Sequence, residues 1–167
     1  MDKTLLSFGH GYSAQALAAV LIPQGWRVIG TTRTAEKAEA IAATGVEPLI
    51  WPGEDVMPSL AEATHVLISA GPTAEGDPVL NELREAIASK ASDLEWLGYL
   101  STTGVYGDHA GDWVDEETPL TPTTKRGQMR KDAEEAWRAI PGLPLHIFRL
   151  AGIYGPGRGP FEKVRQG

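Results

Sequence analysis

Short apolar runs and amphipathic stretches alternate along this chain from its first residues to about Leu150. Leu5, Leu6 and Phe8 form a run that stops at Gly9-His10-Gly11, which predicts a buried strand ending in a tight turn. Ala14, Leu17, Ala18, Leu21 and Ile22 then fall at i, i+3, i+4, i+7 and i+8, the apolar stripe of one helix, and Pro23 and Gly25 close it. A β-rich run at 28–32 follows. Thr34 then serves as N-cap for a helix that carries Ala35, Ala38, Ile41 and Ala42 on one side and ends at Gly45.

The alternation continues with a strand at 47–51, a helical piece near 59–63 and a strand at 65–69. Asp77-Pro78 reads as an N-cap with proline at the first helical position, opening a helix with Leu80, Leu83 and Ile87 inward. A fifth strand spans 96–101. After a loop rich in Gly and Asp, a helix from about Thr124 lines Met129, Ala133, Ala136, Trp137 and Ile140 along one face, and 146–150 is the sixth strand. The residues beyond Leu150, with Gly152, Gly155, Pro156, Gly157, Gly159 and Pro160, are too rich in turn formers to begin another element.

Strands alternating with helices imply an α/β fold, a parallel sheet with helices on both faces, because right-handed crossovers leave few other solutions. Six strands complete both halves of a doubly wound sheet of order 3-2-1-4-5-6. At 167 residues, with no linker, repeat or low-complexity tract, one domain over 1–167 is expected.

Composition narrows the function. The chain has no Cys, which excludes a disulfide scaffold and Cys-ligated metals and fits a reducing cytoplasm. Its 15 Lys+Arg against 22 Asp+Glu give a net charge of −7, which argues against nucleic acid as a partner. No apolar run is long enough to span a membrane, and the N-terminus lacks the pattern of a signal peptide. His10, His65, His109 and His146 show neither i, i+3 nor i, i+4 pairing, so no metal site is expected. His65 and His146 read as structural residues at strand starts, and His109 as a solvated loop residue. Asp108, Asp112, Asp115, Glu116 and Glu117 read as an acidic rim.

The chemistry-bearing motif is Gly9-His10-Gly11-Tyr12-Ser13-Ala14, a G-x-G-x-x-A placed directly between the first strand and the first helix. The first glycine allows the turn, the second lets a pyrophosphate approach the backbone, and Ala14 lets helix and strand pack closely. The helix N-terminus adds unpaired N–H groups and a positive dipole end. Ala70 and Gly71, just beyond the fourth strand, are expected at the same site. No acidic residue ends the second strand to hold the ribose hydroxyls of NAD. Arg33 stands there instead and suits a 2′-phosphate, so NADP is expected ahead of NAD. Gly11-Tyr12-Ser13-Ala14-Gln15 falls one residue short of the G-x-S-x-G nucleophile elbow and lies on the wrong strand for it, which disfavours a serine hydrolase.

Three segments carry a family resemblance. Leu100 through Gly107, then Val114 through Thr123, and Arg149 through Gly157 resemble the S-[ST]-x-x-V-Y-G, V-D-E-x-x-P-x-x-P and R-x-x-x-x-Y-G-P-G segments of the extended short-chain dehydrogenases, the NAD(P)-dependent epimerase/dehydratase family. The resemblance implies that Thr102 helps hold a substrate hydroxyl or carbonyl. It places the family's catalytic Tyr at Arg126 and its Lys at Arg130. Arg126 stays protonated at physiological pH and cannot be a general base, whereas Arg130 can still hold a ribose. Further departures are the shortened glycine turn, Thr103-Gly104 where sugar dehydratases carry Asp-Glu, and the absence of the C-terminal portion that the resemblance implies would close over the substrate.

Two functions follow. One is an atypical NADP-dependent epimerase or oxidoreductase acting on a hydroxyl or carbonyl of a small polar, nucleotide-sugar-like substrate, with Tyr106, Tyr154 and His109 as weak candidates for the proton donor. The other is a dinucleotide-binding sensor or interaction module without turnover. A homodimer is expected to use the helices around Leu80–Ile87 or Met129–Ile140, provided an apolar stripe is exposed there.

Overall fold

The structure, a computed structural model, describes residues 3–159 and 164. Six strands, β1 (Thr4–Phe8), β2 (Arg27–Thr32), β3 (Glu47–Ile50), β4 (His65–Ile68), β5 (Trp96–Thr102) and β6 (Leu145–Leu150), alternate with five helices. These are α1 (Tyr12–Leu21), α2 (Ala35–Ala42), α3 (Met57–Glu62), α4 (Pro78–Lys90) and α5 (Lys125–Arg138). Every strand pair is parallel and the order is β3-β2-β1-β4-β5-β6, the doubly wound arrangement expected from the sequence. The order reverses between β1 and β4, whose carboxyl ends therefore open a crevice beside the glycine turn. No described helix is long and apolar enough to cross a membrane.

Alternation along the strands divides the core in two. Leu6, Phe8, Val66, Ile68, Leu97 and Tyr99 face α3, α4 and α5, where Leu83, Ile87 and the fully buried Trp137 fill the space between sheet and helices. Leu5, Val28 and Leu67 face α1 and α2 through Ala14, Ala18 and Ile41. Small residues on α1 allow that close approach. Towards β6 this second face carries Trp96, Leu100, Phe148 and Leu150 along a groove of about 830 Å³. Phe148 is 41% exposed and shares this groove with Leu17 and Leu21 of α1.

Local signals act as expected at three caps. The Thr34 hydroxyl accepts from the Lys37 amide, Thr124 from that of Gly127, and Asp77 Oδ1 from those of Val79 and Leu80. The first helix differs at its end: α1 stops at Leu21, and a 3₁₀ turn over Ile22–Gln24 precedes Gly25 in the left-handed conformation. The apolar stripes of α4 and α5 are turned into the core. None of the large exposed apolar side chains among the described residues lies on either helix, so the exposed stripe expected for a dimer is not there.

Asp77 has a second task that its cap position does not reveal. Its other carboxylate oxygen accepts from the Trp137 indole at 3.1 Å, so one residue caps α4 and satisfies the buried polar atom of α5. Asp77→Ala is expected to cost about 2 kcal/mol, combining a lost cap with an unpaired indole N–H. A urea titration checks this by a lower midpoint at unchanged slope.

Candidate functional site

The glycine turn sits in the crevice at the carboxyl ends of β1 and β4. Gly9 adopts φ +74°, and a Cβ there would lie 2.9 Å from the Ala70 amide nitrogen, so both backbone conformation and the approach of the β4 strand end demand glycine. The turn is tied to β2 by two bonds to Thr31: its hydroxyl accepts from the Gly9 amide, and its carbonyl from the His10 amide, both at 2.9 Å. Gly11 is extended, with only the Gly9 carbonyl within 4 Å of a would-be Cβ, at 3.7 Å. The space beside Gly11 is therefore open, and no side chain caps the first amides of α1. Those amides and the helix dipole face the opening.

A cavity of about 690 Å³ runs from this turn past Arg33 and Lys37 to Ala70 and Gly71. Arg33 lies where β2 gives way to α2. Neither its guanidinium nor the Lys37 ammonium makes a hydrogen bond or ion pair among the described residues. Lys37 was not singled out from sequence, although its position one helical turn after Arg33 was a usable signal. His10 lines the same cavity, 6% exposed, with both ring nitrogens lacking partners. Volume, open glycine, free amides and two unpaired cations suit a dinucleotide phosphate chain with an additional anionic group.

The amides of Tyr12 and Ser13 head α1 at this opening, while their side chains turn elsewhere. The Tyr12 hydroxyl donates to the Pro156 carbonyl at 3.1 Å, and the Arg158 guanidinium lies 5.3 Å from the Tyr12 ring centre. The turn over Gly155–Arg158 is thereby held against the start of α1. Ser13 lines the apolar groove on the α1 face rather than the phosphate side.

The second cluster lies at the ends of β5 and β6. Thr102 ends β5, and its hydroxyl accepts from the Gly104 amide at 3.2 Å, leaving its hydrogen free to donate. Arg130 points from α5 to the sheet, where its Nη1 donates to the Leu100 carbonyl at 2.8 Å and to the Tyr99 hydroxyl at 3.1 Å. Its Nη2 would lie 3.2 Å from a Cβ on Gly71, so the guanidinium spans from β5 to the edge of the cavity. Arg126 is exposed in the first turn of α5. Burial pushes the Tyr99 phenol up to about 12, with Arg130 opposing, so it stays protonated. It is fully enclosed and no substitute for a missing acid/base.

The other candidates for the proton donor are engaged or remote. The Tyr106 hydroxyl accepts from Arg149 Nη1 at 2.9 Å. His109 Nε2 lies 3.1 Å from the Tyr106 carbonyl, which can only accept, so that nitrogen is engaged as a donor. Tyr154 is 80% exposed.

Beneath Thr102 is an ion cluster that the sequence reading missed. Glu134 is completely buried; its carboxylate accepts from the Ser101 hydroxyl at 2.6 Å and from Arg149 Nη2 at 2.8 Å. The Glu134 carboxylate and the Tyr106 hydroxyl raise the Arg149 guanidinium above its ordinary range. A charged residue inside the apolar face formed by Ala133, Trp137 and Ile140 was the available signal.

With this geometry, the likeness to known proteins has a structural meaning. The chain is 62% identical to a conserved protein of unknown function from Silicibacter pomeroyi, whose solved structure it matches at a TM-score of 0.93 over 99% of this chain and 58% of that one. A Methylobacillus flagellatus structure classed as an NAD-dependent epimerase/dehydratase is 28% identical, with a TM-score of 0.70 over 99% of this chain and 59% of that one. The chain shares the doubly wound α/β fold of epimerase/dehydratase-type proteins. Among curated proteins, the chain is 32% identical to Protein YeeZ of Escherichia coli over 95% of its own length. It spans 61% of that relative. No family profile matches it. Arg126 and Arg130 stand where the resemblance implies Tyr and Lys.

Proposed function

We propose that this chain binds NADP(H) in preference to NAD(H), as the cofactor part of a cytoplasmic oxidoreductase or epimerase acting on a hydroxyl or carbonyl of a small polar substrate. The observation that carries the cofactor preference is the Arg33 guanidinium, without a partner among the described residues and bordering the cavity that starts at the glycine turn. Proteins sharing the fold have been solved with either dinucleotide: WbmG of Bordetella bronchiseptica with NAD and UDP, and yeast Gre2 with NADPH. The side chains at the end of β2 therefore have to make the choice.

In this reading the turn at Gly9–Gly11 and the α1 amides hold the pyrophosphate, Arg33 and Lys37 hold the ribose 2′-phosphate, and Ala70 and Gly71 border the path between them. Arg130 lies at the far side of Gly71, positioned for the second ribose. A nicotinamide held there would supply or accept a hydride. Thr102 would hold the reacting oxygen by donating its free hydroxyl hydrogen, while its lone pair stays on the Gly104 amide. The proton that completes carbonyl reduction would come from water or from residues outside this chain.

A second reading, a dinucleotide-binding sensor without turnover, is favoured by one observation. Arg126 stands where the resemblance implies the acid/base Tyr and Arg130 where it implies the Lys, and Arg130 is engaged with Leu100 and Tyr99. Incubating the protein and NADPH with a panel of small carbonyl compounds separates the two: oxidation that falls in Thr102→Ala supports the enzyme, and none across the panel supports the sensor.

Parallel titration with NADPH and NADH tests the cofactor assignment. Arg33→Ala is expected to weaken NADPH by about 1–3 kcal/mol while leaving NADH nearly unchanged. An equal loss for both nucleotides refutes the role given to Arg33.

A further inference from the structure

His10 is buried in the cavity wall, 6% exposed, with neither Nδ1 nor Nε2 partnered among the described residues. Buried polar groups are nearly always paired, and leaving an imidazole N–H and its lone pair unmade is unfavourable. The placement is also enforced. The ring lies against Gly30 of β2, where a Cβ would come 2.6 Å from His10 Cγ, so the absence of a side chain at position 30 makes room for the imidazole. Backbone bonds from Gly9 and His10 to Thr31 hold the ring's base rigidly. A rigid, unpaired, cavity-lining donor and acceptor is the form of a ligand-recognition group before its ligand arrives.

Its surroundings specify the ligand's charge. From the end of β2 the ring's cavity receives Arg33, from α2 Lys37, and from α4 the carboxylate of Glu82. From α1, the neutral Gln15 donates to the His10 carbonyl at 3.4 Å. The segment after β3 contributes Trp51 and Pro52 and the segment after β4 contributes Ala70, Gly71 and Thr73, none of them charged. Arg33 and Lys37 thus line the same cavity as the imidazole from the end of the second strand and from α2, and Arg130 of α5 reaches its edge at Gly71. We infer that His10 recognises the phosphorylated adenosine ribose of NADPH, hydrogen-bonding it and taking up a proton as the phosphate seats beside Arg33 and Lys37. This rests on the NADP(H) reading above and extends it from affinity to proton linkage.

The direction of the linkage follows from the two states. In the free protein, burial holds the His10 imidazole below its ordinary value, so it is neutral at physiological pH. A phosphate monoester placed against it favours the charged ring. Binding therefore takes up a proton between the lower free and the higher bound value, and affinity rises as pH falls through that interval. NADH, without the phosphate, lacks this uptake. The 2′-phosphate has its own ionisation near pH 6 with the opposite sign, so the comparison must be with a variant and not with pH alone.

His10→Phe keeps the ring shape against Gly30 and removes both nitrogens. The test is calorimetric titration of wild type and His10→Phe with NADPH and NADH from about pH 6 to about pH 8, in buffers of different ionisation enthalpy. Expected is a loss of NADPH affinity of about tenfold or more in the variant. Net proton uptake should be smaller than in wild type, and NADH should show no difference in proton count. Adenosine 2′,5′-bisphosphate should reproduce the difference and 5′-ADP should not, which assigns it to the 2′-phosphate rather than the pyrophosphate. The variant without ligand should melt no lower than wild type, because the orphaned atoms are gone.

NADPH bound by His10→Phe with wild-type affinity and proton count overturns the inference and leaves the cofactor reading standing. Equal weakening of NADPH and NADH with an unchanged proton count likewise overturns it. Failure of wild type to bind either nucleotide overturns both. Should His10→Phe fail to fold, histidine resonances of the wild-type protein decide: one of the four rings gains its charge on adding NADPH but not NADH, or the inference falls.

Discussion

Replacing Glu134 with alanine is expected to remove about 3–5 kcal/mol of folding stability, a large part of what a domain of this size holds in total. The carboxylate is fully enclosed, and the Arg149 side chain that faces it is only 10% exposed. Deleting one partner leaves the other charge desolvated and unpaired, while the Ser101 hydroxyl loses its acceptor. Equilibrium unfolding in urea measures the loss directly. A change below about 1 kcal/mol would mean that water reaches Arg149 and that the cluster is not the clamp its burial indicates. Glu134→Gln keeps the volume and the Ser101 bond and should fall between the two. The double variant Glu134→Leu, Arg149→Met should recover much of the single variant's loss, because it removes the orphaned charge rather than creating one.

The second large effect is on binding and not on stability. Gly11→Val should weaken NADPH by about a thousandfold or more while the melting temperature stays within a few degrees of wild type. Gly11 is extended and its would-be Cβ meets only one carbonyl oxygen, at 3.7 Å, so neither backbone conformation nor close approach demands glycine in the free fold. What the side chain fills is the space left for a pyrophosphate at the head of α1. Gly9→Val provides the contrast, since a positive φ and a 2.9 Å approach to the Ala70 amide should cost both folding and binding. Unchanged NADPH affinity in Gly11→Val, measured by nicotinamide fluorescence, would remove the glycine turn from the site.

The parts of this molecule visible in its sequence are those governed by local rules. Periodicity and caps place the strands and helices because Thr34, Asp77-Pro78 and the glycine turn act on their immediate neighbours. Strand order follows from crossover handedness. What depends on distant partners stayed hidden. Asp77 reads as a cap, but its bond to Trp137 joins residues sixty positions apart. Glu134 interrupts the apolar face of α5, but its partners Ser101 and Arg149 come from β5 and β6. Likewise, Tyr12 falls inside the nucleotide motif, yet its hydroxyl engages the Pro156 carbonyl. At the site, Gly9, Gly11 and Arg33 were legible from motif position, whereas the environment of His10 required the packing against Gly30.

The two margins of the sheet are not alike in how they would receive another strand. At β3 the open side includes Pro48, which has no amide hydrogen to offer, and Glu47 is tied to Arg27 of β2 by a two-pronged ion pair. The outer side of β6 has no proline over Leu145–Leu150, and Phe148 stands partly exposed beside it. Strand addition, whether from a longer polypeptide or from misfolded neighbours in a crowded solution, is therefore directed to one margin. The proline at β3 acts as a stop, and β6 is left as the growing edge.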